Sequence, residues 1–232
     1  MLPPNLLNDF LDQFPNRIDL LSMPVVWIVL TCLFLRTLQK ALELTRSHHT
    51  FDPRLVWVCL IPVVGLGWTW NRWPWTPVLV WIMSVHAAVL AIGGHWTYAE
   101  VPFGFQLKAW LGLERNPYDR IGHFMQGVTP ALLTHELLLR LTPLRAARAV
   151  VWIAVAAALA FSAIYELIEW SAAAMLGQDA EAFLGTQGDV WDTQADMLCA
   201  LIGATTTILL VFGIQRRQME SRGWLSEGTS PR

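Results

Sequence analysis

The sequence predicts an all-α protein, a polytopic transmembrane helical bundle of six membrane segments with both termini on the same side. Three observations predict it. Of the 232 residues, 54% are hydrophobic and only 15% are charged, where soluble domains carry about 25%. Mean hydropathy is +0.42. The chain also holds long runs without Asp, Glu, Lys or Arg: the 27 residues Trp73–Ala99, the 18 residues Met197–Ile214 and the 17 residues Ala149–Tyr165. A helix needs roughly 20 mostly apolar residues to cross a bilayer.

The segments follow in order. Residues 1–19 form a polar lead, with Asp9, Asp12 and Asp19 against Arg17. A cleaved secretory signal starts basic and then turns apolar, and this stretch does not. One membrane domain, 20–215, follows. Its spans are 20–41, 55–71, 75–96, 121–140, 149–170 and 195–215. The first two flank a polar loop with His48 and His49. The third carries His86 at mid-span, where packing with a hydrogen bond is expected. The fourth is the most polar, and Pro130 is set to kink it. Residues 216–232 read as an exposed polar tail. Cys32, Cys59 and Cys199 all fall inside spans and no CxxC exists, so they read as small buried apolar groups.

An even number of spans sorts the polar residues by face. His95, Tyr98 and Glu100 close span three. Asp119, Arg120 and His123 open span four. Glu166 and Glu169 close span five, and Gln187, Asp189, Asp192 and Asp196 lead into span six. All reach one face. Residues 165–196 hold seven Asp or Glu and no Lys or Arg. The opposite face carries Arg140, Arg145, Arg148, Arg216, Arg217 and Arg222. Short cytoplasmic loops favour Lys and Arg. With both termini inside, nine basic residues lie inside and seven outside, which favours cytoplasmic termini and an outward-facing acidic end.

Asp189, Asp192 and Asp196 are spaced three and four apart, so a helix over 189–196 would line them on one face. Thr186 or Asp189 could cap it. Carboxylates so close repel. Relief comes from a metal ion, a shared proton, a basic partner or water. Glu166 and Glu169 are one turn apart at the end of an apolar helix, where carboxylates usually serve a partner or a pathway. Asp119, His123 and Gln126 also share a helical face. His123 could ligate a metal or act as a base, and Asp119 could orient its second nitrogen. The candidate catalytic residues are therefore His123, Asp119 and Arg120. The candidate metal ligands are His123, Glu166, Glu169, Asp189, Asp192 and Asp196, with His95, Tyr98 and Glu100 in support. Mg²⁺, Mn²⁺ and Zn²⁺ are the candidate cofactors. Glu136 and Arg140, four apart, read as an ion pair on the basic face. His135 carries no role. GxxxxGK[ST], HExxH and GxSxG are all absent.

Four stretches carry a resemblance: HWTYAEVPFG (95–104), RNPYDRIGHFMQG (115–127), SAIYELIEW (162–170) and FLGTQGDVWDTQADM (183–197). Through them the chain resembles the YjdF-like family of bacterial inner-membrane proteins, a family defined by a domain of unknown function. The resemblance covers about residues 20–215. It implies an integral inner-membrane helical protein, groups the four stretches in one module and adds Gln187 to the supporting residues. It carries no catalytic assignment.

Three functions fit this pattern. The first is a metal-dependent enzyme acting on a lipid or phosphate headgroup, with Arg120 contacting the anion. The second is an ion- or proton-coupled transporter, although most charges sit at one face rather than at the midplane. The third is a non-catalytic membrane scaffold. Membrane lipid is the expected partner, together with a small-molecule or lipid substrate. No basic patch suggests nucleic acid.

Overall fold

The computed structural model describes residues 73–144, 147–176 and 187–225. The expected spans 20–41 and 55–71, the polar lead and residues 226–232 lie outside them. The described residues form six helices: α1 (Pro77–His95), α2 (Pro102–Leu111), α3 (Tyr118–Leu141), α4 (Ala147–Leu176), α5 (Asp192–Leu210) and α6 (Phe212–Ser221). No strand occurs among the described residues.

Three of these helices are long and apolar enough to cross a membrane: Pro77–His95, Ala147–Ser171 and Asp192–Leu210. They surround α3, which packs against α1, α4 and α5. The most polar long helix is thus the innermost one. This is the arrangement hydrocarbon selects. Polar groups turn toward the bundle interior, because lipid tails cannot hydrogen-bond them. Apolar side chains turn outward instead. Trp152 on α4 is 71% exposed and Leu209 on α5 is 75% exposed.

Short local rules set the helix ends. Pro77 and Pro102 occupy first-turn positions, where a missing N–H leaves no bond unmade. Gly112 ends α2 at φ 65°, a left-handed cap that glycine adopts without strain. On α4, the buried Ala154, Ala158, Ser162 and Glu166 follow a four-residue spacing along one face. Leu79, Ala131, Leu132, Ala154, Ala158, Ala204 and Phe212 form the core at mid-bundle.

Two expectations need correction here. Tyr98 lies past the end of the third span's helix and does not stand one helical turn on from His95. The helix stops at His95, and Thr97 and Tyr98 take φ 56° and 47°. The tyrosine ring folds back over Gly93, where any Cβ would collide with it. The polar tail expected from residue 216 also begins as structure. The sixth span breaks at Val211, and α6 buries Phe212, Gln215 and Met219.

That second helix completes a polar network at the end of the bundle away from His123. The carboxylate of Glu136 is fully buried. It accepts from the Thr76 hydroxyl at 2.6 Å, Arg140 at 2.7 Å, Gln215 at 3.0 Å and the Thr76 amide at 3.2 Å. The ion pair expected from the four-residue spacing is present. Glu136 also places negative charge at the start of α1, where the helix dipole favours it. His135 bonds Gln215 at 2.6 Å and stacks on Phe212 at 3.8 Å. His86 bonds Thr129 at 3.0 Å, the packing role expected of it.

Candidate metal centre

The other end of the bundle begins with a clasp. Asn116 accepts the Tyr118 amide at 3.0 Å, just ahead of α3. Its amide donates to the carbonyls of Ala99 and Val101 at 2.9 and 3.0 Å. Gly104 of α2 is seated so closely against Asn116 that a Cβ would strike the asparagine side chain. Gln187 then bonds the Asn116 backbone twice, accepting from its N–H and donating to its C=O, both at 3.0 Å. The acidic loop is thereby fixed over the start of α3.

The three aspartates do not share one helical face. Helix α5 starts at Asp192, and Asp189 lies in the turn before it. Asp189 accepts the Trp191 amide at 2.9 Å, and its carbonyl accepts the Asp192 amide at 3.3 Å. A carboxylate bonding a backbone N–H two residues on is a local turn motif that competes with helix. The Trp191 N–H, and then the Arg115 and Arg120 guanidinium groups, hold the Asp189 carboxyl below its ordinary value of 3.8.

Two arginines answer the question of how the aspartates coexist. Arg120 reaches Asp192 at 2.8 Å, Asp189 at 3.0 Å and the Asp192 carbonyl at 2.9 Å, and it pairs with Asp196. Arg115 reaches Asp189 at 3.3 Å and pairs with Asp192. It also stands 3.7 Å from Asp119. Of the four forms of relief the sequence allows, a basic partner serves Asp189 and Asp192. Arg115 was not among the expected site residues, although its four-residue spacing to Asp119 was a signal for it.

Beneath this layer lies His123, which is 1% exposed. Its Nδ1 is 3.4 Å from Glu166 Oε1, and its Nε2 is 3.6 Å from Asp119 and 3.8 Å from Asp196. The Tyr165 ring meets it edge-on at 5.8 Å. Both imidazole nitrogens, Glu166 Oε1, Asp119 Oδ2 and Asp196 Oδ2 lack a hydrogen-bond partner among the described residues, while Asp196 Oδ1 is taken by Arg120. Two groups of potential ligands share the imidazole, Asp119–His123–Asp196 and His123–Glu166–Glu169, each with donor atoms within 4.8 Å of one another.

The chemistry of the donors fits a cation. Ligands at 2.0–2.2 Å from one tetrahedral ion lie roughly 3.3–3.6 Å apart. Buried polar atoms without partners are uncommon and often mark an ion or water. Among the described residues, Asp119, Asp189, Asp192 and Asp196 share the two guanidinium groups of Arg115 and Arg120, and Glu166 and Glu169 pair with neither. His95 packs edge-on against Trp96 at 4.8 Å, Tyr98 lies near Tyr118 at 6.4 Å and Glu100 is exposed.

Residues 23–217 match a family model described as "Predicted membrane protein (DUF2238)". A 158-residue stretch, 68% of this chain, is 50% identical to the inner membrane protein YjdF of Escherichia coli (strain K12), and spans 76% of that protein. No solved structure matches.

Proposed function

The chain belongs to the DUF2238 family of predicted membrane proteins, and on that premise we propose that this integral membrane protein is a metal-dependent enzyme acting on a lipid or phosphate headgroup. The cation sits on the Nδ1 side of His123, held with Glu166 and Glu169. One observation carries this reading. His123 is buried between carboxylates, and its facing atoms lack hydrogen-bond partners among the described residues.

The Nδ1 side is preferred over the Nε2 side on electrostatic grounds. Asp196 already pairs with Arg120, a cation that competes with a metal for it. Glu166 and Glu169 form no ion pair with an arginine among the described residues, and Glu169 is only half-buried. Asp119 on the Nε2 side then accepts the second imidazole N–H. A metal-bound histidine usually donates that proton to a carboxylate. One imidazole and two carboxylates suit Zn²⁺ or Mn²⁺ better than Mg²⁺, which prefers oxygen and its own waters.

Three protein ligands leave coordination open, as catalytic zinc sites do. A bound metal supplies Lewis acidity and a more acidic water. The protein's own part is to orient the imidazole through Asp119 and to keep hydrocarbon away from the polar end. Arg120 is not free to grip an anionic substrate in this reading, because its guanidinium is shared among three aspartates. Six crossings with cytoplasmic termini would put the centre at the outer face, within reach of lipid headgroups. Reporter fusions at residues 112 and 186 test the sidedness, and reporters on opposite faces would defeat it.

The deciding experiment is elemental analysis of detergent-purified protein offered Zn²⁺, Mn²⁺ or Mg²⁺. Wild type, Glu166→Gln/Glu169→Gln and Asp192→Asn are compared after each is shown to be folded. A stoichiometric metal lost only in the double variant supports the centre. No metal in wild type overturns it. The arginine–aspartate layer supports a second reading, a metal-independent scaffold, for which folding without any metal is the expected result.

A further inference from the structure

The polar lining does not end at His123. Gln126 lies three residues further along α3 and is 2% exposed, and its Oε1 has no partner among the described residues. Ser162 lies four residues before Glu166 on α4, is fully buried, and its hydroxyl is likewise without one. The helices run antiparallel. His123 meets Glu166, Ala131 and Ala158 share the central core, and Leu139 and Val150 share the next cluster. That register brings Ser162 level with Gln126 and Gly127. One turn deeper, the Thr129 hydroxyl meets His86 Nδ1, while His86 Nε2 is again without a partner among the described residues. The next layer is apolar: Leu79, Ala131, Leu132, Ala158 and Ala204, each fully buried.

A buried hydroxyl or amide without a hydrogen bond destabilises the fold, because its water partners are lost and not replaced. Three such groups, from three helices, stack beneath the acidic end of the bundle. Buried water typically satisfies two to four groups of this kind. From His123 to Thr129 is six residues, about 9 Å along a helix, so the column reaches well into the membrane. Alanine and leucine then close it.

We infer that Gln126, Ser162 and His86 line a hydrated recess that opens at the acidic end of the bundle and ends blindly at the Ala131–Ala158 layer. Its ligand is water, or a small polar guest that replaces water. The recess does not depend on a metal. For a reaction on a lipid it would hold water beside a site otherwise walled by hydrocarbon. For proton movement it would carry the proton halfway and no further.

Cysteine accessibility tests this in reconstituted vesicles. The native Cys32, Cys59 and Cys199 are first replaced by serine. Ser162→Cys, Gln126→Cys and Ala158→Cys are then exposed to a small membrane-impermeant cationic methanethiosulfonate, with and without chelator. Ser162→Cys and Gln126→Cys should react at least about tenfold faster than Ala158→Cys, because a thiol reacts through its thiolate, which hydration favours. The reagent should succeed from one side only. Native-state labelling of both recess cysteines as slow as that of Ala158→Cys, with full labelling after denaturation, overturns the proposal. Fast labelling of Ala158→Cys, or labelling from both sides, also overturns it by showing a through-path. Chelator should change none of these rates, which separates this result from the fate of the metal centre.

Discussion

Gly127 on α3 and Gly203 on α5 let the two helices touch through their backbones. A Cβ on Gly127 would collide with the Ala200 carbonyl, and one on Gly203 would collide with the Phe124 carbonyl. Each glycine receives the other helix about one turn from its counterpart. Small residues permit such close approach in membranes, where packing rather than hydrophobicity holds helices together. Gly203→Val should therefore destabilise the folded protein by at least about 1–3 kcal/mol, the usual cost of overpacking. Thermal unfolding in detergent would show it, whereas Gly213→Ala, with nothing near its Cβ position, should unfold close to wild type.

Arg120 should be required mainly because of what it leaves behind. Removing one partner of a buried ion pair costs about 3–5 kcal/mol, as the other charge stays buried and alone. Arg120→Ala should approach that loss. Asp196→Asn in the same chain should recover part of it, since Asp196 is 1% exposed. A double-mutant cycle measures the coupling, and strict additivity would rule it out.

Acid should remove the contribution of Asp189. Its folded carboxyl titrates below the ordinary 3.8, so the unfolded chain takes up the proton first as pH falls. The stabilisation is present above the unfolded value and disappears as pH drops through the folded one. Wild type should unfold at higher temperature than Asp189→Asn at pH 6. Unfolding scans should show that gap narrowing below about pH 4 and closing at more acidic pH.

Glu136 should be a structural hub with no effect on metal content. Glu136→Ala leaves Arg140, Thr76 and Gln215 donors buried without their acceptor, a loss of at least about 3 kcal/mol. Glu136→Gln keeps the shape and should lose less. Any metal bound at the far end should remain at wild-type stoichiometry in the folded Gln variant.

Asp119→Asn should keep the metal but weaken it. Partners that orient a ligating histidine are worth about 10–100-fold in affinity. Competition with a chromophoric chelator would measure the change, and an unchanged affinity would remove Asp119 from the proposed role.

Much of the polar end was legible because parity is a strong constraint. Once the chain alternates across a membrane, Asp119, His123, Glu166 and Asp196 must share a face however far apart they are in sequence. What the chain hid was pairing between segments. Helical spacing could relate Arg115 to Asp119, but it could not bring the 187–191 turn across α3 to place Asp189 on two arginines. It also overextended α5 backwards, because an aspartate that bonds its own backbone holds a turn where a three-and-four spacing reads as helix. At the other end hydropathy misled. The stretch from 216 is polar enough to read as solvated tail, yet Met219 continues the helical spacing of Phe212 and Gln215 and is buried with them. His135 had no visible role for the same reason, since its partner Gln215 is 80 residues away.

The Glu136 network also sets an order of events during synthesis. Gln215 bonds Glu136 across a separation of 79 residues and Thr76 across 139. At about 5–20 residues per second, a ribosome needs roughly 4–16 s to travel from Glu136 to Gln215. Throughout that interval the carboxylate, and the Val78 amide that awaits Gln218, lack partners the finished protein will give them. The bundle cannot be sealed as its helices emerge one by one. Its closing step belongs to α6, so a nascent chain cut short of residue 215 would hold a buried charge with its cage half built.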